Sequence, residues 1–537
     1  MTPTQAGHPE HVDVVFTDPD PSVPIEIRDE AAPIVVDYAP VEELPTSNLK
    51  QDNLSLKQKA VRSSVLTLAA FATGQLIRFG TAPLLANLLV KPEYLGVINL
   101  VAVFTTLMVA MSDVGVEQAI IQNKRGDDPI FLNTAFTLHA VRGLFLWLGA
   151  CAIAYPVYWF YRDQEQAHYL LWMLPASGFS LLLNGLNSTS TYTLNRHLRI
   201  GRLTIVNLSG QIINITVTLI CAWIWRSPWA IITGGITQNV FLLIVTHLQI
   251  PGYRNRFCWD LATRKELMKF GKWILISTLT TYLAFQIDRP MLAKLTDLKW
   301  LGLYGIATGL VLMPREVIGR LAAVTLFPAI SRTAEERPDE LPKFVNRARG
   351  MVLTAALVGT LAVVLGGPIF IGLFYKSEFH TAGWLTQLVS ISAWFILLTT
   401  TADRALLAQG KTKSLAASNF VSLIATIVCS LAGMLIEKHI FGDPYGTTGF
   451  ILGLAVGKLV GHGMIQYQMA QAGMPIVRQD LAYTLALLAL SLVGIWLPEV
   501  FNRAHPGHAM LYQSIVGVSL CSAAAAWAAL KVWRARK

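Results

Sequence analysis

Long apolar runs separated by short polar connections recur from residue 63 to the end of the chain, and this pattern predicts membrane-spanning helices. A helix needs about 20 mostly apolar residues to cross the hydrocarbon layer of a bilayer. The fourteen runs that meet this length are residues 63–90, 95–119, 132–160, 168–192, 203–225, 228–250, 271–295, 301–328, 350–374, 382–407, 414–436, 447–470, 480–499 and 511–532. We therefore expect an all-α polytopic membrane protein with about 14 transmembrane helices.

The charges between these runs predict the orientation of the chain. Cytoplasmic loops of membrane proteins are enriched in Lys and Arg. Every second connection is basic, as in residues 196–202, 254–269 and 332–349, whereas the connections between them hold only one or two basic residues. Both ends of the chain fall on the basic side. We expect cytoplasmic N and C termini and an even number of spans.

Composition supports the membrane assignment but sets the first residues apart. Hydrophobic residues make up 53% of the chain and charged residues 14%, whereas about 25% would be charged in a soluble domain. Residues 1–48 instead hold ten carboxylates and one basic residue, Arg28, with recurring prolines and no regular period. We expect residues 1–56 to be a disordered acidic cytoplasmic tail. It lacks the basic start and apolar core of a signal peptide.

Two stretches of similar sequence indicate an internal repeat. The motif PLLA at 83–86 followed by EYLG at 93–96 has counterparts in PMLA at 290–293 and KWLG at 299–302. Spans 1–6 and 7–12 therefore form two parallel six-helix lobes, 57–255 and 256–475, with a central cavity between them. The last two spans, within 476–537, lie outside the repeat. Chance similarity between apolar helices is the alternative explanation.

Basic residues inside the apolar runs are the candidate functional groups. An ionisable side chain within a membrane must find a partner or line a polar cavity. Several cations in one bundle favour an anionic passenger, because guanidinium groups match phosphate oxygens. The alternative is that each cation bonds a carbonyl or an acid of a neighbouring helix. The predicted substrate-binding residues are Arg78, Arg142, Arg289, Arg315 and Lys458.

Two acids near these cations are candidates for binding a coupling ion. Asp288 could bind a proton or another cation, or it could form a structural ion pair with Arg315 on the next helix. Glu316 is the second candidate, although its spacing from Arg320 also suits an ion pair within one helix. No catalytic constellation is found. The five cysteines lie apart without CxxC or Cys/His spacing, so neither a disulfide framework nor a metal site is expected.

Short motifs in a fixed order resemble one family of transporters. They are APLLANLL at 82–89, PEYLG at 92–96, SDVG at 112–115, AIIQ at 119–122, QIDR at 286–289, LGLY at 301–304, LFPAISR at 326–332 and AQGKT at 408–412. In this order they resemble the bacterial polysaccharide and O-antigen flippases of the multidrug/oligosaccharidyl-lipid/polysaccharide exporter superfamily. The resemblance covers about residues 60–475. The acidic tail departs from the family pattern.

The resemblance implies a function and a set of partners. Its cargo would be an oligosaccharide repeat unit on undecaprenyl pyrophosphate, moved from the cytoplasmic to the periplasmic leaflet of the inner membrane for exopolysaccharide, capsule or O-antigen synthesis. Membrane lipid and the polymerase and export proteins of the same pathway are further candidate partners; no nucleic acid is expected. The implied mechanism is antiport driven by H⁺ or Na⁺, without a cofactor.

Three alternatives to this function stay open. Peptidoglycan-precursor exporters and drug exporters belong to the same superfamily, although buried arginines disfavour cationic drugs as cargo. A membrane-embedded polysaccharide polymerase or ligase belongs to a different class. Such an enzyme needs a substantial outward loop to hold its acceptor and catalytic groups, and every outward connection here is short.

Overall fold

The computed structural model describes residues 56–112, 115–197, 199–248, 254–322, 326–442, 446–504 and 509–536. All of these residues belong to one compact unit. The acidic segment expected to be disordered, residues 1–56, lies outside the described residues except for Leu56. The assignment of that segment therefore stays a prediction.

The described chain folds into α-helices joined by short connections. The first eight are α1 (Leu56–Leu89), α2 (Pro92–Ala110), α3 (Val116–Gln122), α4 (Pro129–Phe160), α5 (His168–Gly185), α6 (Ser190–Arg196), α7 (Ile200–Trp225) and α8 (Trp229–Leu248). The next ten are α9 (Leu261–Gln286), α10 (Asp288–Leu295), α11 (Leu298–Leu321), α12 (Phe327–Glu336), α13 (Leu341–Phe374), α14 (Ala382–Ala408), α15 (Thr412–Phe441), α16 (Thr447–Gln471), α17 (Val477–Ala504) and α18 (Ala509–Arg536).

Local sequence signals explain where several helices begin. Asp128 precedes α4 and its side chain accepts a hydrogen bond from the Ile130 amide at 3.0 Å. Asp260 caps α9 in the same way, and hydrogen bonding from Thr263 lowers the pKa of its carboxyl. Such caps satisfy amides that have no partner within the helix. Proline at the first position of α2 and α4 fits because the first helical N–H would be unpaired anyway.

The all-α membrane fold is confirmed, whereas the count of fourteen spans is not. Eleven helices of the described chain, α2, α4, α7, α8, α11 and α13–α18, are long and apolar enough to cross a membrane. The bent pair α5 and α6 would make twelve. The remaining expected spans, 63–90 and 271–295, correspond to α1 and to α9 with α10. Polar side chains such as Gln75, Arg78 and Asp288 lower the hydropathy of these helices.

Two expected spans of the N-terminal lobe are interrupted. Within the run 95–119, helix α2 ends at Ala110, and a separate short helix, α3, begins at Val116. The run 168–192 bends by 59° between α5 and α6. Hydrogen bonds hold this bend, because Ser190 donates to the Thr246 carbonyl at 2.6 Å and Ser188 lies 2.6 Å from Asn255 Oδ1. Polar residues here thus bond neighbouring segments.

Equivalent positions of the two repeat motifs meet where α2 crosses α11. A Cβ atom on Gly96 would lie 1.9 Å from the Leu298 carbonyl oxygen, and one on Gly302 would lie 1.9 Å from the Pro92 carbonyl oxygen. Gly96 lies four residues after Pro92, and Gly302 lies four residues after Leu298, so each glycine faces the residue four positions before the other glycine. The contact is therefore the same from both sides, as a two-fold axis between the helices requires. Only glycine permits this close backbone approach.

The apolar core joins residues from both predicted lobes. Its largest cluster includes buried side chains of α2, α4, α5, α10, α11, α14 and α16. A second cluster packs α17 and α18 against α13 and α14. The two C-terminal helices therefore stand beside α13, and the polar face of α17 reaches further in through Asp480, which is only 2% exposed.

Candidate substrate cavity

A cavity of about 510 Å³, which we call the main cavity, lies between α9, α10, α11, α14 and α16. Five of the seven predicted site residues line it. They are Asp288, Arg289, Arg315, Glu316 and Lys458. The break between α9 and α10 puts Asp288 and Arg289 at the start of a new helix, and α11 and α16 supply the others.

Two of the cations share one aromatic ring. The Arg315 guanidinium lies 4.8 Å from the centroid of Phe285, and the Lys458 ammonium lies 5.6 Å from the same centroid. Lys458 also donates a hydrogen bond to the Ala284 carbonyl, next to Phe285 in α9. A ring face attracts a cation by about 0.5–2 kcal/mol, which is less than a charge-assisted hydrogen bond contributes to an anion. Arg315 therefore keeps donors available for a ligand.

Asp288 forms a hydrogen bond with a tyrosine instead of the alternative ion pair with Arg315. The Tyr304 hydroxyl donates to Asp288 Oδ2, and Tyr304 is buried. The other carboxylate oxygen, Oδ1, is buried with no hydrogen-bond partner among the described residues. No ion pair within 4.0 Å joins Asp288 to Arg315 in the part of the chain that the structure describes. A buried carboxylate oxygen without a donor can accept a proton or a cation.

Glu316 contacts a side chain of α1 instead of Arg320 on its own helix, α11. Its carboxylate accepts a hydrogen bond from the Gln75 side chain of α1. Arg320, its expected partner within α11, instead lies 5.9 Å from the centroid of Phe71. The ion pair between Glu316 and Arg320 is thus not formed, because α1 packs against this face of α11 and offers an amide to one residue and a ring to the other.

A second cavity of about 310 Å³ lies on the other side of Glu316. Arg78 of α1 lines it together with Gln75 and residues of α2, α11 and α13. Leu312 and Glu316 line both cavities. Arg78 therefore approaches the main cavity across α11, and Glu316 stands between the two spaces.

Arg142 lies apart from both cavities. It lines a separate cavity of about 120 Å³ with Val109 and His139, and shares no lining residue with the main one. Its Nε donates to the Ser112 hydroxyl at 2.9 Å and its Nη2 to the Val109 carbonyl at 3.2 Å. The structure does not bring Arg142 together with the other predicted residues. Bonding to a neighbouring helix, the alternative considered for it, matches this geometry.

Sequence reasoning missed a buried charge cluster beside the cavity. Arg349 was assigned to a cytoplasmic connection, but α13 begins at Leu341 and buries this side chain completely. It forms an ion pair with Asp480 of α17, whose carboxylate also contacts His462 of α16. The signal available in the sequence was Asp480 at the start of an apolar run. Phe285, Tyr282 and Tyr304 were also missed as cavity residues.

Comparisons with known proteins agree with the sequence motifs. A family model described as "Polysaccharide biosynthesis protein" matches residues 84–394. Teichuronic acid biosynthesis protein TuaB of Bacillus subtilis is 20% identical over 302 residues, which cover 56% of this chain and 61% of that protein. Lipopolysaccharide biosynthesis protein WzxC of Escherichia coli is 20% identical over 315 residues, covering 58% and 62%. The matches span about three-fifths of these two relatives.

Solved structures share the fold at low sequence identity. The lipid II flippase MurJ in an inward closed conformation matches with a TM-score of 0.62 at 13% identity, covering 86% of this chain and 98% of that one. An inward-facing multidrug resistance MATE family transporter of the MOP superfamily matches with a TM-score of 0.57 at 12% identity, covering 74% and 94%. These likenesses establish the fold. Because the family model matches more than half of the chain, the protein belongs to the polysaccharide biosynthesis protein family.

Proposed function

We propose that this protein is a flippase for an oligosaccharide repeat unit linked to undecaprenyl pyrophosphate. It moves the unit from the cytoplasmic to the periplasmic leaflet of the bacterial inner membrane, with both termini in the cytoplasm, and serves exopolysaccharide, capsule or O-antigen synthesis. The observation that carries the proposal is the 510 Å³ cavity lined by Arg289, Arg315 and Lys458 within the helical bundle. Membership of the polysaccharide biosynthesis family supports it.

The cavity chemistry suits a diphosphate. Phosphate oxygens accept charge-assisted hydrogen bonds that are stronger than the ring contact now made by Arg315 and Lys458. An entering diphosphate therefore replaces the ring of Phe285 as the partner of both cations. The Gln286 amide is available to sugar hydroxyls, and the Tyr282 hydroxyl, which donates to the Val103 carbonyl, can accept from one. The polyprenyl tail is apolar and needs no polar site, so it remains in the bilayer.

Alternating access completes the cycle. The α2–α11 crossing closes the predicted outward side, since Gly96 and Gly302 bring the two helices into backbone contact there. Rocking of the lobes about this crossing exposes the cavity to the other leaflet. Asp288, with its unpartnered Oδ1, is the candidate for binding H⁺ or Na⁺, and Glu316 is the second. No catalytic step is needed, so the protein acts as a secondary transporter and not as an enzyme.

Peptidoglycan-precursor export is the competing function within the same superfamily. The likeness to the lipid II flippase fold favours it, and its cargo carries the same diphosphate chemistry. Competition between the two lipid-linked substrates in one flipping assay separates them. A drug exporter for cationic cargo would carry an excess of acids, whereas the three basic side chains of this cavity outnumber its two acids, Asp288 and Glu316.

Reconstitution into liposomes with a fluorescent lipid-linked oligosaccharide tests the proposal. Removing a charged hydrogen-bond donor costs about 1.5–3 kcal/mol, so Arg78→Ala, Arg289→Ala and Arg315→Ala should each lower the flipping rate about tenfold or more. Arg332→Ala is the matched control, because Arg332 is exposed and pairs with Glu336 at 2.6 Å outside the cavity. Undiminished flipping in the three cavity variants would reject the site. No flipping by wild type under any ion gradient would reject the function.

A further inference from the structure

A buried polar network lies one helical turn from the main cavity. Asp480 of α17 is its centre, with its carboxylate accepting from Arg349 of α13 and from the Gln466 side chain at 2.9 Å. His462 Nε2 lies 2.9 Å from the same carboxylate. Arg349 is 0% exposed and His462 is 1% exposed. A group so deeply buried can hold a charge only where protein partners satisfy it.

His462 has satisfied partners in both of its protonation states. Since a carboxylate only accepts, Nε2 carries a proton and donates it to Asp480. The other ring nitrogen, Nδ1, lies 3.1 Å from the Thr399 hydroxyl of α14. A hydroxyl both donates and accepts, so Thr399 donates to the neutral imidazole and accepts from the protonated one. Rotation of one hydroxyl therefore accommodates the second proton without moving a helix.

The same histidine is connected to the cavity. Lys458 precedes it by four residues on α16, which is about 6 Å along the helix axis. A small cavity of about 20 Å³ is lined by Thr399, Lys458 and Ile396, and the last two also line the main cavity. This volume is enough for about one water molecule. A polar path therefore leads from the main cavity through Thr399 to His462.

The charged groups beside His462 form a neutral pair, so the net charge of the network depends on the protonation of His462. Arg349 and Asp480 form a neutral pair, so a second proton on the imidazole adds one positive charge to the network. The α15 residue opposite this turn of α16 is Ser422, next to Gly461, and carries no charge. Among the described residues, the charged groups in contact with His462 or with its carboxylate partner are Asp480 on α17 and Arg349 on α13. Lys458 lies one turn away on α16, Asp403 and Arg404 follow Thr399 by about one turn on α14, and Tyr483 follows Asp480 on α17.

We propose that His462 is a proton-binding site whose occupancy is coupled to anion binding in the cavity. This inference rests on the proposed ion-coupled transport and assigns the proton to a residue outside the cavity. A proton on His462 places positive charge one turn from Lys458 and strengthens the attraction of the cavity for a diphosphate. By linkage, a bound diphosphate favours protonation of His462 to the same extent.

Calorimetry on the full-length protein in lipid nanodiscs tests the coupling. The probe is a short-chain polyprenyl-pyrophosphoryl-N-acetylglucosamine, whose phosphates are both esterified and do not titrate in this range. We expect wild-type Kd to fall about fivefold or more between pH 8 and pH 6, with proton uptake on binding detected in buffers of different ionisation enthalpy. His462→Gln keeps a donor for Asp480 but cannot gain a proton. Its Kd should vary with pH clearly less than that of wild type, and it should take up fewer protons on binding, because any proton bound at Asp288 or Glu316 is common to both proteins.

Controls separate proton binding from a structural role. His439→Gln removes an exposed histidine from α15 and should retain the wild-type pH dependence. If His462→Gln weakens binding equally at every pH, or only lowers the thermal unfolding midpoint, His462 is structural and the inference is wrong. A pH dependence and a proton uptake in His462→Gln as large as those of wild type also overturn it, while the proposed function stands. Absence of probe binding by wild type at any pH rejects both.

Discussion

Arg349 and Arg315 are both held inside the helical bundle, but the protein satisfies them to different degrees. Arg349 donates to Thr401 Oγ1 and to the Leu398 carbonyl, both at 3.0 Å, and forms an ion pair with Asp480. Arg315 contacts the ring of Phe285, and within the described residues its guanidinium makes no hydrogen bond or ion pair. The protein thus supplies all the partners of one arginine and leaves the other with unused donors.

This difference separates structural charges from charges that await a ligand. A partly buried guanidinium without acceptors loses hydration at a cost, and the cost is offset when an anion binds. Arg349 ties α13, α14 and α17 together, whereas Arg315 lines a cavity of about 510 Å³. Arg142, bonded to Ser112 and to the Val109 carbonyl, resembles Arg349 more than Arg315. Burial alone therefore does not identify a binding residue; the donors left unused do.

The largest loss of stability should come from breaking the ion pair between Arg349 and Asp480. Arg349→Ala leaves the Asp480 carboxylate buried without its main partner, which we expect to cost about 3–5 kcal/mol of unfolding free energy. Titration with sodium dodecyl sulfate in detergent micelles measures this change. The double substitution Arg349→Met with Asp480→Leu removes both charges and should recover a large part of the loss. Wild-type stability of the single variant would show that Arg349 is not a structural charge.

Much of the fold could be predicted from the apolar runs, because span length and hydropathy are local properties. Eleven helices of the described chain are long and apolar enough to cross a membrane, each overlaps one expected span, and the bent pair α5 and α6 would make a twelfth. The bend between α5 and α6 was not predictable. It depends on Thr246 and Asn255, which lie about 60 residues after Gly185 in the chain. In the run 95–119, by contrast, α2 ends at Ala110 just before the polar Ser112 and Asp113, so the sequence did carry a signal for that interruption.

The site was less predictable, because partners of buried charges come from distant segments and from the backbone. Five cavity residues could be named from their place in apolar runs, yet the bonding of Asp288 to Tyr304 was not foreseen. Arg142 bonds a backbone carbonyl, and a carbonyl leaves no sequence signal. Arg349 reads as a loop residue until Asp480, 131 residues away, is brought next to it. The sequence identifies the charges but not which ones the protein satisfies.

An intermediate effect should follow removal of Arg142. Its bonds to Ser112 and Val109 join α4 to the end of α2. Hydrogen bonds to a charged group contribute about 1.5–3 kcal/mol, so Arg142→Ala should lower the unfolding free energy by about that amount, less than Arg349→Ala does. The same detergent titration measures it. A loss as small as that of an exposed arginine would place Arg142 with the unsatisfied charges instead.

The smallest effect on stability should come from the unsatisfied arginine itself. Arg315→Met replaces a guanidinium over Phe285 by an unbranched apolar side chain, so it removes both a cation–π contact and a desolvation cost. We expect the unfolding free energy of the ligand-free protein to change by less than about 1 kcal/mol, or to rise, as is common when a functional charge is removed. Lys458 shares the same ring, and Lys458→Met is the matched comparison. A loss comparable to that of Arg349→Ala would mean that Arg315 holds the fold together and is not kept for a ligand.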